Sequence, residues 1–251
     1  MRTKYWFPAA ALVMCVAMFA QAVPPEASKV STFAPAADLS SQLVEYVAAL
    51  EECVASADAF KDFGSKIDKD ANTVAVIALA LGLSDEDNKY KKAAPAIIKA
   101  SQAIAAAEGY EATKAAVDEL KAAMTSEGDP DTLKWEEKVA SMPELMAQVP
   151  LINTRLKRYT RGSRLKSKAD DTKGYAAVIA AISQASMANA ECTDKPEEAT
   201  KWYAYCEQMR DAAAAVHQAI DEGDEEKVSQ AMDALQKSCD DCHAVFHEEE
   251  L

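Results

Sequence analysis

The sequence contains few residues that end or break a helix. It has seven glycines and nine prolines among 251 residues, but 52 alanines. Glycine and proline are about twice as frequent in an average protein, and alanine favours the helix most because it loses no side-chain entropy there. β-Sandwiches and β-barrels need many tight turns, so this composition excludes them. We predict long helices joined by short connections.

Apolar residues recur at helical spacing in eight segments of the chain. The segments span residues 43–60, 72–83, 90–104, 117–124, 135–159, 175–182, 202–220 and 228–246. The spacing is interrupted at 128–130, midway along the chain, and Pro143 and Pro150 are expected to kink or split the fifth helix. We therefore predict an all-α protein of two tandem antiparallel four-helix bundles, residues 40–128 and 131–251.

The first 22 residues have the features of a secretory signal peptide. Arg2 and Lys4 precede an apolar run, residues 8–20, and Ala20-Gln21-Ala22 matches the small-x-small cleavage pattern. An uncleaved membrane anchor is the alternative, although the run is short for a bilayer span. Cleavage removes two cations from a chain of net charge −14 and leaves −16. We predict a periplasmic protein, where disulfides and covalent haem are possible, with residues 23–39 as a flexible tether.

One motif in the chain carries specific chemistry. Cys239-Asp240-Asp241-Cys242-His243 has the C-x-x-C-H pattern of c-type haem attachment. Two cysteines three residues apart lie on one face of a helix, so both thiols can bond to one porphyrin, and the following imidazole suits iron. A chance match, a zinc half-site and a dithiol redox pair are the alternatives, but a closed zinc site needs four ligands. The motif predicts haem c held by Cys239 and Cys242, with His243 as an iron ligand.

The residues around this motif resemble the class II c-type cytochromes, the cytochrome c-prime group. The matching features are Lys195-Pro196-Glu197 before a helix that opens with Trp202, Gly223-Asp224 at the hairpin, and Ser238 to Phe246 around the motif. The resemblance covers residues 131–251 and implies a four-helix bundle with one haem near the end of the last helix. The family usually has Arg or Lys where this chain has His247, which puts the usual basic neighbour of the haem in doubt.

The ligand on the other side of the iron is open. In an up-down-up-down bundle the start of the fifth helix lies beside the end of the eighth. His243 then lies level with residues 138–146, at about 1.5 Å per residue. Met142 is the best candidate for the sixth ligand, followed by Met146. Alternatively, both methionines fill gaps in the core, and Leu145 or Val139 covers an open coordination position.

The other histidines are not expected to bind the iron. His217 and His243 lie at very different distances from the hairpin at Gly223, which separates them by about 20 Å along the helices. His247 could approach the haem edge, although we expect it to be exposed. In the first bundle, Met124, Glu127 and Gly128 occupy the positions that would match the motif, so residues 40–128 are predicted to be a degenerate bundle without haem.

Three cysteines lie outside both the motif and the signal segment. Cys192 and Cys206 flank a 13-residue connection and could form a disulfide. Cys206 lies on an apolar stripe and could equally be a buried thiol. Cys53 is unpaired in either case and is expected to be a small core residue.

These features predict an electron carrier. The favoured function is one-electron transfer between periplasmic redox partner proteins, and the alternative is a five-coordinate haem that binds or senses NO or CO. Catalysis would need an acid–base group on the distal side, so we do not expect an enzyme. The acidic charge excludes nucleic-acid binding, and a homodimer is possible. Seven cations between Arg155 and Lys168 could steer an acidic partner, touch an anionic lipid surface, or form a solvated loop.

Overall fold

The computed structural model describes residues 23–247, and this part of the chain is helical without any strand. The predicted signal peptide, residues 1–22, lies outside the described residues. The helices are α1 (Ala36–Cys53), α2 (Ala57–Phe63), α3 (Ile67–Leu83), α4 (Ala94–Ala105), α5 (Tyr110–Ala123), α6 (Met142–Tyr159), α7 (Ser163–Ser167), α8 (Ala169–Ser186), α9 (Ala199–Glu222) and α10 (Glu225–Phe246). All eight predicted helices are therefore confirmed, as α1, α3, α4, α5, α6, α8, α9 and α10.

Several predicted helices differ from the structure at their ends, and two of these differences have a clear local cause. The first ends at Cys53, and the separate helix α2 begins after Ser56, whose hydroxyl accepts a hydrogen bond from the Ala59 amide (3.0 Å). The fifth helix begins at Met142 rather than near residue 135. Pro143 lies in its first turn, a position that suits proline because its missing N–H leaves no hydrogen bond unmade there. Pro150 lies inside α6 and does not end the helix.

One hydrophobic core extends through both halves of the described chain. Helices α1, α3, α4 and α5 pack around one part of it, and α6, α8, α9 and α10 around the other. Helix α3 also contacts α6 and α8, and α1 contacts α8. Residues 70–82 of α3 and 174–186 of α8 are buried without interruption. These two helices are therefore central, and the core does not divide at residues 128–130.

Residues 30–39 are packed against the core. Val30, Phe33 and Leu39 are buried, and the backbone amide and hydroxyl of Ser31 donate hydrogen bonds to the Asp85 carboxylate (2.9 and 2.8 Å). The prediction of a flexible tether is therefore wrong for residues 30–39, because packing against the core removes the apolar side chains of this stretch from water. Residues 23–29 have no regular secondary structure.

A buried polar contact joins α1, α3 and α6. The Gln148 side-chain amide donates hydrogen bonds to the Tyr46 hydroxyl (2.9 Å) and to the Asp70 carboxylate (3.1 Å). Burial raises the pKa of Asp70 from 3.8 to about 6, while the hydrogen bond from Gln148 acts in the opposite direction. This contact therefore places a titratable group between the two halves of the core.

Helices α3 and α4 approach closely at Gly82. A Cβ atom added there would lie 2.8 Å from the Ala94 Cβ and would also overlap the Leu133 side chain. Only glycine fits this position.

Within residues 23–247, no helix combines the length and the apolar character needed to cross a bilayer.

Candidate functional site

The predicted attachment motif lies in the last two turns of α10. The left-handed backbone of Gly223 (φ 68°) ends α9, and the Asp224 carboxylate then accepts hydrogen bonds from the first amides of α10 (3.1 Å each). The helix continues to Phe246, so the motif is helical throughout. Cys239 and Cys242 are half-buried, and His243 is exposed. The spacing therefore places the two thiols on the inner side of α10 and the imidazole towards water.

An apolar cluster lies beside the motif and is distinct from the main core. Its buried members are Met142, Met187, Ala190, Trp202, Tyr203, Cys206 and Phe246. Cys242 and Met146 are half-buried and pack against this cluster. Trp202 meets Phe246 edge-to-face, with ring centroids 5.4 Å apart, and its indole N–H donates to the Ser186 carbonyl (2.9 Å). The candidate site therefore consists of two thiols, one exposed imidazole and an adjoining methionine- and aromatic-rich cluster.

The motif thiols are free and protonated at neutral pH. Neither Cys239 nor Cys242 is in a disulfide. Burial raises the pKa of Cys239, and burial followed by the charge of Cys239 raises that of Cys242 from 9.0 to about 11. A reactive dithiol pair needs a lowered pKa, because the thiolate is the nucleophile. These raised values weigh against the dithiol redox alternative.

The structure brings Met142 and the attachment motif together. Met142 is 9 % exposed and belongs to the same cluster as Cys242 and Phe246, and Met146 packs against that cluster. Leu145 and Val139, the alternative covers of an open iron position, are buried in the main core instead. Of the two predicted arrangements, the one that places a thioether beside the motif is therefore compatible with the packing.

The remaining histidines lie elsewhere or face water. The His217 Nε2 atom lies 2.7 Å from an Asp38 carboxylate oxygen, so this residue joins α9 to α1. His247 is exposed, and its ring centroid lies 5.6 Å from that of His243. His217 thus has a structural partner in the first half of the chain, away from the motif.

Cys192 and Cys206 do not form a disulfide in the structure. Cys192 is exposed, whereas Cys206 is a buried thiol of the apolar cluster whose pKa is raised by burial. Of the two alternatives left open by the sequence, the buried thiol is confirmed. Cys53 is free and buried, as predicted for a core residue.

Several residues of the cluster could not be recognised from the sequence. Met187 and Ala190 lie in a short 3-10 helix, Met187–Cys192, that periodicity does not mark. Trp202 could be recognised as a candidate from the sequence. It is an aromatic residue near the start of α9, and the next helix, α10, ends with the motif. Its contact with Phe246 depends on how α9 and α10 pack and was not predictable from spacing.

The side chains at the candidate site are of the types that hold a covalently bound haem. Across the described chain, no three His, Cys, Asp or Glu side chains group to hold a metal ion. Two free thiols on one side of a helix, a neighbouring exposed imidazole and an adjoining apolar cluster supply the groups that a porphyrin requires. No family model, curated protein or solved structure matches the chain.

Proposed function

We propose that this protein is an exported monohaem c-type cytochrome that transfers single electrons between periplasmic redox partners. The observation that carries the proposal is the C-x-x-C-H motif within α10, with both thiols free and half-buried and His243 exposed. Cys239 and Cys242 would hold haem c by thioether bonds, and His243 would be an iron ligand. The bound haem supplies an iron that alternates between the ferrous and ferric states.

The proposal extends to the sixth ligand and to the fold. Met142 is the proposed sixth ligand of the iron, because it packs in the same cluster as Cys242. A thioether ligand raises the reduction potential of a haem iron. We further propose that the two sets of four packed helices are four-helix bundles, the second of cytochrome c-prime type. The packing of α6, α8 and α9 in sequence, with α10 against α9, supports this arrangement. Export depends on the proposed signal peptide, residues 1–22.

The attachment is tested by expressing the full chain in a host that matures c-type cytochromes. Mass spectrometry of the exported protein is expected to show one covalent haem and a polypeptide cleaved near residue 22. The double variant Cys239→Ser/Cys242→Ser is expected to retain no covalent haem. Cys192→Ser, which changes an exposed cysteine outside the motif, is the matched control and is expected to keep it. An exported wild-type chain with only the bare polypeptide mass would overturn the proposal.

The sixth ligand is tested by absorption spectroscopy. Wild-type protein is expected to give a low-spin reduced spectrum that CO does not change, because His243 and Met142 would both bind the iron. Met142→Ala is expected to make the spectrum CO-sensitive, whereas Met209→Ala, at a half-buried residue that packs against the main core, is expected to leave it unchanged. A high-spin wild-type spectrum that shifts with CO would instead support gas binding. A response to Met146→Ala alone would assign the ligand to Met146.

A further inference from the structure

A basic surface lies at the end of α6, on α7 and just before α8. It is formed by the side chains of Arg155, Lys157, Arg158, Arg161, Arg164, Lys166 and Lys168, all of which are exposed. The chain has no acidic residue between Glu144 and Asp170. Seven cations in 14 residues are therefore concentrated on a protein whose total charge is −14.

The cations of this basic surface are largely unpaired. Within residues 23–247, only Lys168 of the seven forms an ion pair, with Asp171 at 3.0 Å. Lysines elsewhere commonly lie against carboxylates, as in the pairs Lys114–Asp118 (3.1 Å) and Lys173–Asp221 (2.8 Å). Because like charges held close together repel one another, an unneutralised group of this size is most stable when an anionic surface covers it.

The basic surface reaches the helix that carries the attachment motif. The Lys157 ammonium donates a hydrogen bond to the Gln236 side-chain oxygen (2.9 Å), and the Asn153 amide lies 3.4 Å from the same atom. Gln236 precedes Cys239 by three residues, which is about 4.5 Å along a helix axis. The positive charge of Lys157 also acts on Cys239, where it partly offsets the larger effect of burial on the thiol pKa. A molecule bound to the basic surface therefore lies beside the motif.

We propose that the basic surface is the docking site for an acidic redox partner protein. This inference rests on the proposed function, because the partner gains or loses one electron as the haem iron loses or gains it. Leu151, 48 % exposed and one turn before Arg155, offers an apolar contact at the edge of the site. An acidic protein fits better than a nucleic acid or an anionic bilayer, because a compact partner can cover the basic surface alone, whereas a larger anion would also meet the acidic remainder of a chain with net charge −14.

Docking is tested first without haem, with poly-L-glutamate as the acidic probe. Wild-type protein is expected to bind the probe at low ionic strength and to release it as salt is added. Arg158→Glu/Arg161→Glu is expected to bind about tenfold more weakly or not at all. Lys61→Glu/Lys99→Glu changes the net charge equally at exposed positions in the first half, and is expected to bind as wild type. Equal loss in both double variants would overturn the proposal, as would binding to phosphatidylglycerol vesicles in preference to poly-L-glutamate.

The redox side is tested on haem-loaded protein with two small oxidants of opposite charge. Oxidation of the reduced wild type by ferricyanide, an anion, is expected to be about tenfold faster than that of Arg158→Glu/Arg161→Glu. Oxidation by a cationic cobalt(III) complex is not expected to slow in that variant. A ferricyanide rate that does not respond to the substitutions would overturn the role of the surface in electron exchange. A chain that binds poly-L-glutamate but carries no haem would overturn the proposed function and retain the basic surface as a docking site for an acidic partner.

Discussion

The buried carboxyl of Asp70 gives a quantitative prediction about stability. Its pKa is raised from 3.8 to about 6 by burial, partly offset by the hydrogen bond from Gln148 and by the charges of Arg155, Lys66 and Lys69. The folded state holds the proton of this carboxyl more tightly than the unfolded state does. Proton binding at Asp70 therefore contributes fully to stability below pH 3.8, and this contribution is lost as pH rises through about 6. The difference of about two pKa units corresponds to roughly 3 kcal/mol in the free energy of unfolding.

Replacement of this carboxyl by an amide isolates the effect. Asp70→Asn removes the charge and keeps an oxygen that can accept the Gln148 hydrogen bond, so the variant is expected to be more stable than wild type at neutral pH, by up to roughly 3 kcal/mol. The advantage is expected to shrink to roughly 0.5 kcal/mol near pH 4, where the folded carboxyl is protonated but the unfolded one, with a pKa of 3.8, is still partly ionised. The difference between the two proteins is the useful quantity, because other carboxylates of this acidic chain also titrate.

Urea unfolding followed by far-ultraviolet circular dichroism measures the difference from about pH 4 to about pH 8. Asp87→Asn changes an exposed carboxyl in the loop after α3 and serves as the control. It is expected to show no comparable gain at neutral pH. A stability difference between Asp70→Asn and wild type that does not vary with pH would refute the argument, as would a variant that is less stable than wild type at pH 7.

Other expected outcomes concern packing, hydrogen bonding and thiol exposure. Gly82→Ala is expected to lower the free energy of unfolding by about 1–3 kcal/mol, because there is no room for a methyl group between α3 and α4. Gly64→Ala places its methyl group in open space and is expected to change the free energy of unfolding little. Urea unfolding compares the two variants. Trp202→Phe loses the hydrogen bond to Ser186 and is expected to cost about 1–3 kcal/mol by the same measurement. In native holoprotein, a thiol reagent is expected to label Cys192 alone, and mass spectrometry after digestion locates the label.

The sequence predicted the main helices well, because each carries an apolar stripe that the fold buries. Its errors arose where packing decides the structure. Residues 30–39 have too little periodicity to be recognised as ordered, yet Val30 and Phe33 are buried in the core. Near residue 135 the apolar spacing continues without a helix, and Trp135 packs against Phe33 instead, with ring centroids 6.3 Å apart.

The shared core left a signal in the sequence that periodicity alone does not use. Residues 74–81 of α3 are apolar on every side of the helix, and a helix of that kind is surrounded by others. At the candidate site, the motif specified Cys239, Cys242 and His243 because their spacing is local. Met187 and Tyr203 join the site only through the packing of α9 against its neighbours, and local spacing carries no information about that.

The central position of α3 and α8 limits how this protein can be shortened for study. A fragment that starts at residue 131 would lack α1 and α3, against which α8 and α6 pack. Wide alanine and isoleucine surfaces, such as those around Ala176 and Ile179, would then meet water and promote aggregation. Spectroscopic and crystallographic work on the motif therefore requires a recombinant polypeptide that retains the amino-terminal half, even though none of the described residues of that half belongs to the apolar cluster.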